Sequence, residues 1–141
     1  MNDLTDLISV SIRAFHSDIF VGAETLKGPP GYDSLEFHIE MLNKSSHFYK
    51  IVCGQKIIGG FWLMQQKHDE AYLYRIFLDP DYHHMSIGLK SFDFLFKKYP
   101  SVKIWSLKTP KWNIRTPKFY RKIGFEISKE DEKFLYFTMN K

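Results

Sequence analysis

The stretch Ala71–Leu78, Ala-Tyr-Leu-Tyr-Arg-Ile-Phe-Leu, restricts the fold more than any other part of the chain. It is apolar and aromatic, has the length of a strand, and is halted by Asp79-Pro80. A helical pattern then runs from about Ser86 to Tyr99. Leu89, Phe92, Phe96 and Tyr99 share one face, and Lys90, Asp93 and Lys97 the other. Pro100 stops this helix, and Val102–Leu107 alternates as a strand should.

The flanking segments fill in the rest. Leu4, Leu7, Ile8, Ile12 and Phe15 recur at helical spacing, with Asp3 placed to cap the start. The Gly28-Pro29-Pro30-Gly31 loop interrupts. Asp33 with Glu36 then predicts a capped second helix whose stripe is Leu35, Ile39 and Leu42. Phe48–Cys53 and Ile57–Gln66 flank Gly54-Gln55-Lys56 as a hairpin. A short helix at 117–122 ends at Gly124, where a left-handed cap is needed, and Phe134–Met139 is the last strand. The predicted order is helix, helix, three strands, helix, strand, helix, strand. This is an α/β layered architecture with a mixed sheet, read as a single domain over residues 1–141.

The chain has 141 residues, 44% of them hydrophobic and 17% aromatic, which excludes a disordered polar segment. Such a length buries roughly 70% of its unfolded surface, so folding needs neither disulfide nor metal. The lone cysteine, Cys53, is expected to be a small core residue. Asp3 and Asp6 stand where a secretion signal carries positive charge, and the longest apolar run, Ile57–Met64, is far short of the roughly 18 residues a membrane span needs. A cytoplasmic protein with no membrane partner is the expectation. Between Val102 and Phe125 there are Lys103, Lys108, Lys111, Arg115, Lys118, Arg121 and Lys122 and no acidic residue. This block suits phosphates, or is simply a solvated basic face. The chain has no recognisable nucleic-acid motif. His83, His84 and Asp81 do not have the spacing of a metal site, and no metal is expected.

Two segments carry candidate chemistry. The turn from Asp79 to Gly88 delivers free backbone N–H groups at a helix start, which attract phosphate; Gly88 serves either close ligand approach or close packing. Tyr120 sits in the basic segment one turn before Gly124. A positioned phenol donates a proton to a leaving thiolate, although packing on a sheet is the ordinary role of such a tyrosine.

Together these segments resemble the GNAT superfamily of N-acetyltransferases. Asp79-Pro80-Asp81-Tyr82-His83-His84-Met85-Ser86-Ile87-Gly88 is similar to its coenzyme A loop, and Asn113, Phe119, Tyr120, Lys122, Gly124 and Phe125 match its second motif in order. Trp105–Pro110 is similar to a bacterial branch. The resemblance implies a mixed, mostly antiparallel sheet with helices on both faces and a splayed parallel strand pair at the cofactor site. It implies that acetyl-CoA is held by the amides of Phe77 and Leu78 and by His83, His84, Met85, Ser86, Ile87, Gly88, Leu89 and Asn113. It implies that Tyr120 protonates the thiolate after direct attack by a small-molecule amine. At the family's usual base positions the chain has Tyr72 and Tyr74; Glu70 is the candidate base, and Tyr32, Tyr72 and Tyr74 are candidate walls of the acceptor pocket.

Two departures bear on this. His83 replaces an Arg or Gln, and Ser86 replaces a Gly, so a positive φ there would be strained by its Cβ. The family's first strand has no counterpart, which would leave a sheet edge for a second copy to cover, as in a homodimer. The rival reading is a catalytically weak or inactive acyl-CoA-binding module.

Overall fold

The computed structural model describes residues 2–18, 22 and 28–141, without the side chains of Asn2, His84 and Met85. Its elements follow the hydrophobic periods. Helix α1 (Asn2–His16) and helix α2 (Leu35–Lys44) precede the hairpin β1 (His47–Cys53) and β2 (Lys56–Lys67). Strand β3 (Glu70–Leu78), a 3₁₀ helix (Pro80–Met85) and α3 (Ile87–Lys98) follow. Strand β4 (Ile104–Pro110), α4 (Thr116–Ile123), β5 (Glu126–Glu130) and β6 (Phe134–Asn140) complete the order. One sheet runs β1-β2-β3-β4-β6-β5. Its neighbours are antiparallel except β3 and β4, which are parallel.

Two apolar clusters form. Leu4, Leu7, Val10 and Ala14 of α1 and Met41 of α2 bury Ile57, Trp62 and Phe77. Phe92 and Leu95 of α3 and Tyr120 of α4 bury Leu63, Ala71, Leu73, Trp105, Leu107 and Phe137. Strand β3 serves both clusters because it is bulged. Trp62 pairs with Arg75 and Leu63 with Leu73, so Tyr74 is the extra residue. One unpaired residue reverses the alternation of faces. Thus Ala71 and Leu73 join the α3–α4 cluster, and Phe77 joins the α1–α2 cluster.

Several sequence expectations are corrected. Asp3 lies inside α1 and pairs with Lys50 rather than capping the helix. The centre of the α1 face is Val10, Ser11 and Ala14, with Ile8, Ile12 and Phe15 half-buried beside it. Ser34, not Asp33, caps α2: its backbone is extended and its Oγ accepts from the Phe37 N–H at 3.1 Å. Leu35 and Leu42 are 47% and 46% exposed, and the buried face carries His38 and Met41 instead. The His38 ring donates from Nδ1 to the Ser34 carbonyl and packs edge-on against Trp62, so a polar residue holds a core position. Cys53 is exposed, since it closes β1 at the hairpin turn. The predicted strand order lacks β5, whose five residues are all exposed at the sheet edge.

Candidate active site

Strands β3 and β4 pair only over Glu70–Tyr72 and Ile104–Ser106. Beyond this they run on to Leu78 and Pro110 without pairing to one another, while their outer edges stay paired to β2 and β6. The inner edges therefore present backbone N–H and C=O groups with no strand partner, and groups of this kind seek a ligand or water.

The turn after β3 is tied down at its first residue. Asp79 is buried, its Oδ1 accepts from the Asp81 N–H at 3.0 Å, and its carboxylate pairs with Arg13 of α1. Its own N–H donates to the Ile58 carbonyl at 2.7 Å. The turn is thus anchored to both α1 and β2. It ends at Ser86, with φ 56° and ψ 23°, the only non-glycine residue with positive φ among those described. The strained conformation expected there is adopted despite the Cβ, at a cost of roughly 1–2 kcal/mol. Gly88 follows in α3, and a Cβ there would lie 2.7 Å from the Phe119 ring, so its bareness serves close packing of α3 on α4.

Tyr120 is buried in the α3–α4 cluster and held there by rings. Its neighbours are Phe92, Phe119, Phe125 and Phe137, with centroids 5.4–6.1 Å away. Gly124, at φ 126°, terminates α4, and its N–H and that of Phe125 return to the Tyr120 carbonyl. Burial pushes the Tyr120 phenol well above the usual tyrosine range, and the charges of Asp18 and Tyr72 add to this. The phenol therefore keeps its proton. Asn113 is buried, and its Oδ1 accepts from the N–H groups of Arg115 and Thr116 at 3.0 and 3.2 Å. That oxygen caps the start of α4, so the side chain positions the helix that carries Tyr120.

The structure gathers residues that sequence reasoning did not select. Asp18, two residues beyond α1, is buried, and burial pushes its carboxyl up to about 6 against the pull of Arg115. The Arg115 Nη2 lies 3.3 Å from Asp18 Oδ1, and its Nη1 lies 3.3 Å from His83 Nδ1. His83 Nε2 donates to the Leu78 carbonyl at 2.9 Å. This series joins the end of β3, the turn, the start of α4 and the residues just after α1. Arg75 is the second addition. Its guanidinium lies over the rings of Phe15, Phe37, Trp62 and Tyr74 and donates to the Pro30 carbonyl at 3.1 Å. Burial lowers its pKa to about 10.

Tyr72 and Tyr74 meet edge-on at 6.2 Å and share the neighbourhood of Arg75. Tyr32 stands one step away, with its ring against Phe15 and its hydroxyl 2.8 Å from His16 Nε2. Glu70 is at the paired end of the β3–β4 pair, 3.8 Å from Lys67 Nζ. Asp18, by contrast, is linked through Arg115 and His83 to the carbonyl of Leu78 at the open end. Among the basic residues of the 102–125 segment, Lys108 lies over Phe134, Lys111 pairs with Glu130 and Arg115 with Asp18, so the block does not form one continuous face.

An extended chain that bonds to backbone amides and ends in phosphates fits these strand edges and this turn. The model of the Acetyltransferase (GNAT) family matches residues 12–125. The chain belongs to the GNAT acetyltransferase family. Solved structures agree on the GNAT fold. The PaiA N-acetyltransferase of Thermoplasma acidophilum, in complex with coenzyme A, is 22% identical with a TM-score of 0.78 over 99% of this chain and 94% of its own. The ribosomal-protein-S18-alanine N-acetyltransferase of Escherichia coli is 15% identical, with a TM-score of 0.75 over 99% and 88%. An aminoglycoside 6′-N-acetyltransferase complexed with coenzyme A is 13% identical, with a TM-score of 0.74 over 97% and 89%. No curated protein sequence matches the chain. Among the described residues no helix is long and apolar enough to cross a membrane, and no group of three His, Cys, Asp or Glu is placed to hold a metal ion.

Proposed function

We propose that this chain acetylates a primary amine on a small molecule, using acetyl-CoA as the donor. The observation that carries the reading is the parting of β3 and β4 beyond Tyr72 and Ser106, with Tyr120 buried and protonated in the cluster that packs on these strands. Coenzyme A, when bound, supplies the acetyl group as a thioester. The N–H of Leu78, which points away from β2, would hold its pantetheine arm and polarise the thioester carbonyl, as fixed dipoles do where negative charge develops, whereas the expected partner Phe77 turns its N–H to β2. The turn from His83 to Leu89 would meet its phosphates with backbone N–H groups, aided by the start of α3. Tyr120 would give its proton to the departing sulfur, and the high phenol pKa ensures that the proton is there to give. Tyr72 and Tyr74 would flank the acceptor. The aminoglycoside enzyme among the structural relatives supports a small-molecule amine, and the S18-alanine enzyme makes a protein amine the contrast to test.

The experiment is an acetyl transfer assay with spermidine, kanamycin and a peptide with an N-terminal alanine, following thiol release and product mass. The expected result is one thiol released per acetylated amine on spermidine or kanamycin. Acetylation of the peptide alone would move the acceptor class to proteins. No transfer to any amine, together with a melting shift on adding acetyl-CoA, would leave a binding module. A ligand at 100 times its dissociation constant adds about 2.7 kcal/mol of stability.

A further inference from the structure

The acceptor amine arrives protonated and must lose a proton before it can attack. The candidate base from the sequence, Glu70, stands at the closed end of the strand pair with Lys67 beside it. Asp18 stands near Tyr120 and is joined through Arg115 to the turn.

The contacts of Asp18 look exchangeable. Its side chain is 12% exposed and that of Arg115 is 42% exposed, so the guanidinium has room to move while the carboxylate does not. Both Arg115 contacts are 3.3 Å, longer than the roughly 2.7–2.9 Å of a firm charge-assisted bond. Because His83 Nε2 donates to the Leu78 carbonyl, its Nδ1 is the acceptor for Arg115. Arg115 therefore already leans on the turn that would meet phosphates, and a guanidinium prefers the bidentate geometry of phosphate oxygens.

We propose that Asp18 binds the acceptor's ammonium group and takes its proton, and that Arg115 covers Asp18 until coenzyme phosphates draw the guanidinium away. This rests on the acetyltransferase reading above. Once Arg115 leaves, a buried carboxylate remains without its countercharge, which is costly unless another cation replaces it. The acceptor's ammonium is that cation, so binding of the coenzyme prepares the amine site.

The proton count closes. Asp18 takes one proton from the ammonium. The nitrogen lone pair then forms the N–C bond as the C–S bond breaks. Tyr120 protonates the sulfur and is reprotonated by the second nitrogen proton, and Asp18 releases its own proton to water. Among the described residues, the titratable and charged groups around Asp18 are Arg115, with His83 behind it, and Tyr120 with Tyr72 beyond it. The Asp18 carboxyl is pushed up to about 6 with Arg115 in place and rises further once Arg115 leaves, so kcat/KM for the amine falls as pH drops through that raised midpoint.

The test combines carboxyl NMR titration, calorimetry and kinetics. In the wild type, coenzyme A should raise the Asp18 titration midpoint, because Arg115 no longer opposes it. Asp18→Asn should lower kcat/KM for the best amine of the panel by about 100-fold and remove the acidic limb of its pH profile. The same variant should bind acetyl-CoA as tightly as the wild type or more so, since Arg115 is released. Arg115→Met should weaken acetyl-CoA binding by about 10-fold and abolish the response of the Asp18 midpoint to coenzyme A. Three results overturn the proposal: an Asp18 midpoint that bound coenzyme A leaves unmoved, an Asp18→Asn variant that loses acetyl-CoA affinity and melting temperature together, or an acidic limb that moves in Glu70→Gln and not in Asp18→Asn. A wild type that does not bind coenzyme A would sink both the acetyltransferase reading and this one.

Discussion

Tyr120→Phe should lower kcat by about 100-fold or more while leaving the dissociation constant of acetyl-CoA unchanged. The substitution removes one hydroxyl and keeps the ring. The contacts with Phe92, Phe119, Phe125 and Phe137 need only the ring, so the fold survives the change. Burial of the phenol disfavours its ionised form, which suits the proposed role of an acid and not that of a base. The loss should therefore appear in kcat rather than in binding, since the proposed proton transfer takes place only as the sulfur departs. Acceptor-saturated kinetics read alongside calorimetry separate the two. Equal loss in affinity and rate would make Tyr120 a packing residue only.

Phe92→Ala should cost about 4 kcal/mol and lower the melting temperature by roughly 10–15 °C. Phe92 is 1% exposed, and its ring meets Phe96, Phe119, Tyr120 and Phe125 at centroid distances of 5.7–6.1 Å. It is the ring that α3 and α4 share, so truncation opens a cavity beside Tyr120. Activity measured well below the melting point should fall too, because Tyr120 is then no longer fixed by its neighbours. Phe92→Leu keeps most of the volume and should cost less than about 1.5 kcal/mol. Thermal unfolding of the pair settles the prediction: similar midpoints for Ala and Leu would mean that the site collapses around the change.

What could be read from the sequence was whatever depends on near neighbours. The hairpin at Gly54, the halt at Asp79-Pro80 and the cap at Gly124 are local, and the structure has each of them. The α2 stripe misled because hydropathy alone favours Leu35 and Leu42, whereas His38 reaches the core by satisfying Nδ1 on the Ser34 carbonyl. Strand β5 left no alternating signal, since an edge strand with every residue exposed needs no apolar face. The bulge at Tyr74 is set by pairing with β2 and redirects Arg75 among the rings of α1 and α2. The pairing of Asp18 with Arg115 spans 97 positions, and no local pattern predicts it. The loop motif could be read as a family resemblance, but which side chains meet above it depends on how α1 and α4 pack.

The most direct test is to follow backbone amide shifts while acetyl-CoA is added, with ATP as a control polyanion. The largest changes are expected at Leu78 and its neighbours and along the turn from His83 to Gly88, with ATP moving at most the turn. Changes confined to the exposed lysines and arginines of α4, or none at millimolar acetyl-CoA, would contradict the placement of the cofactor between β3 and β4.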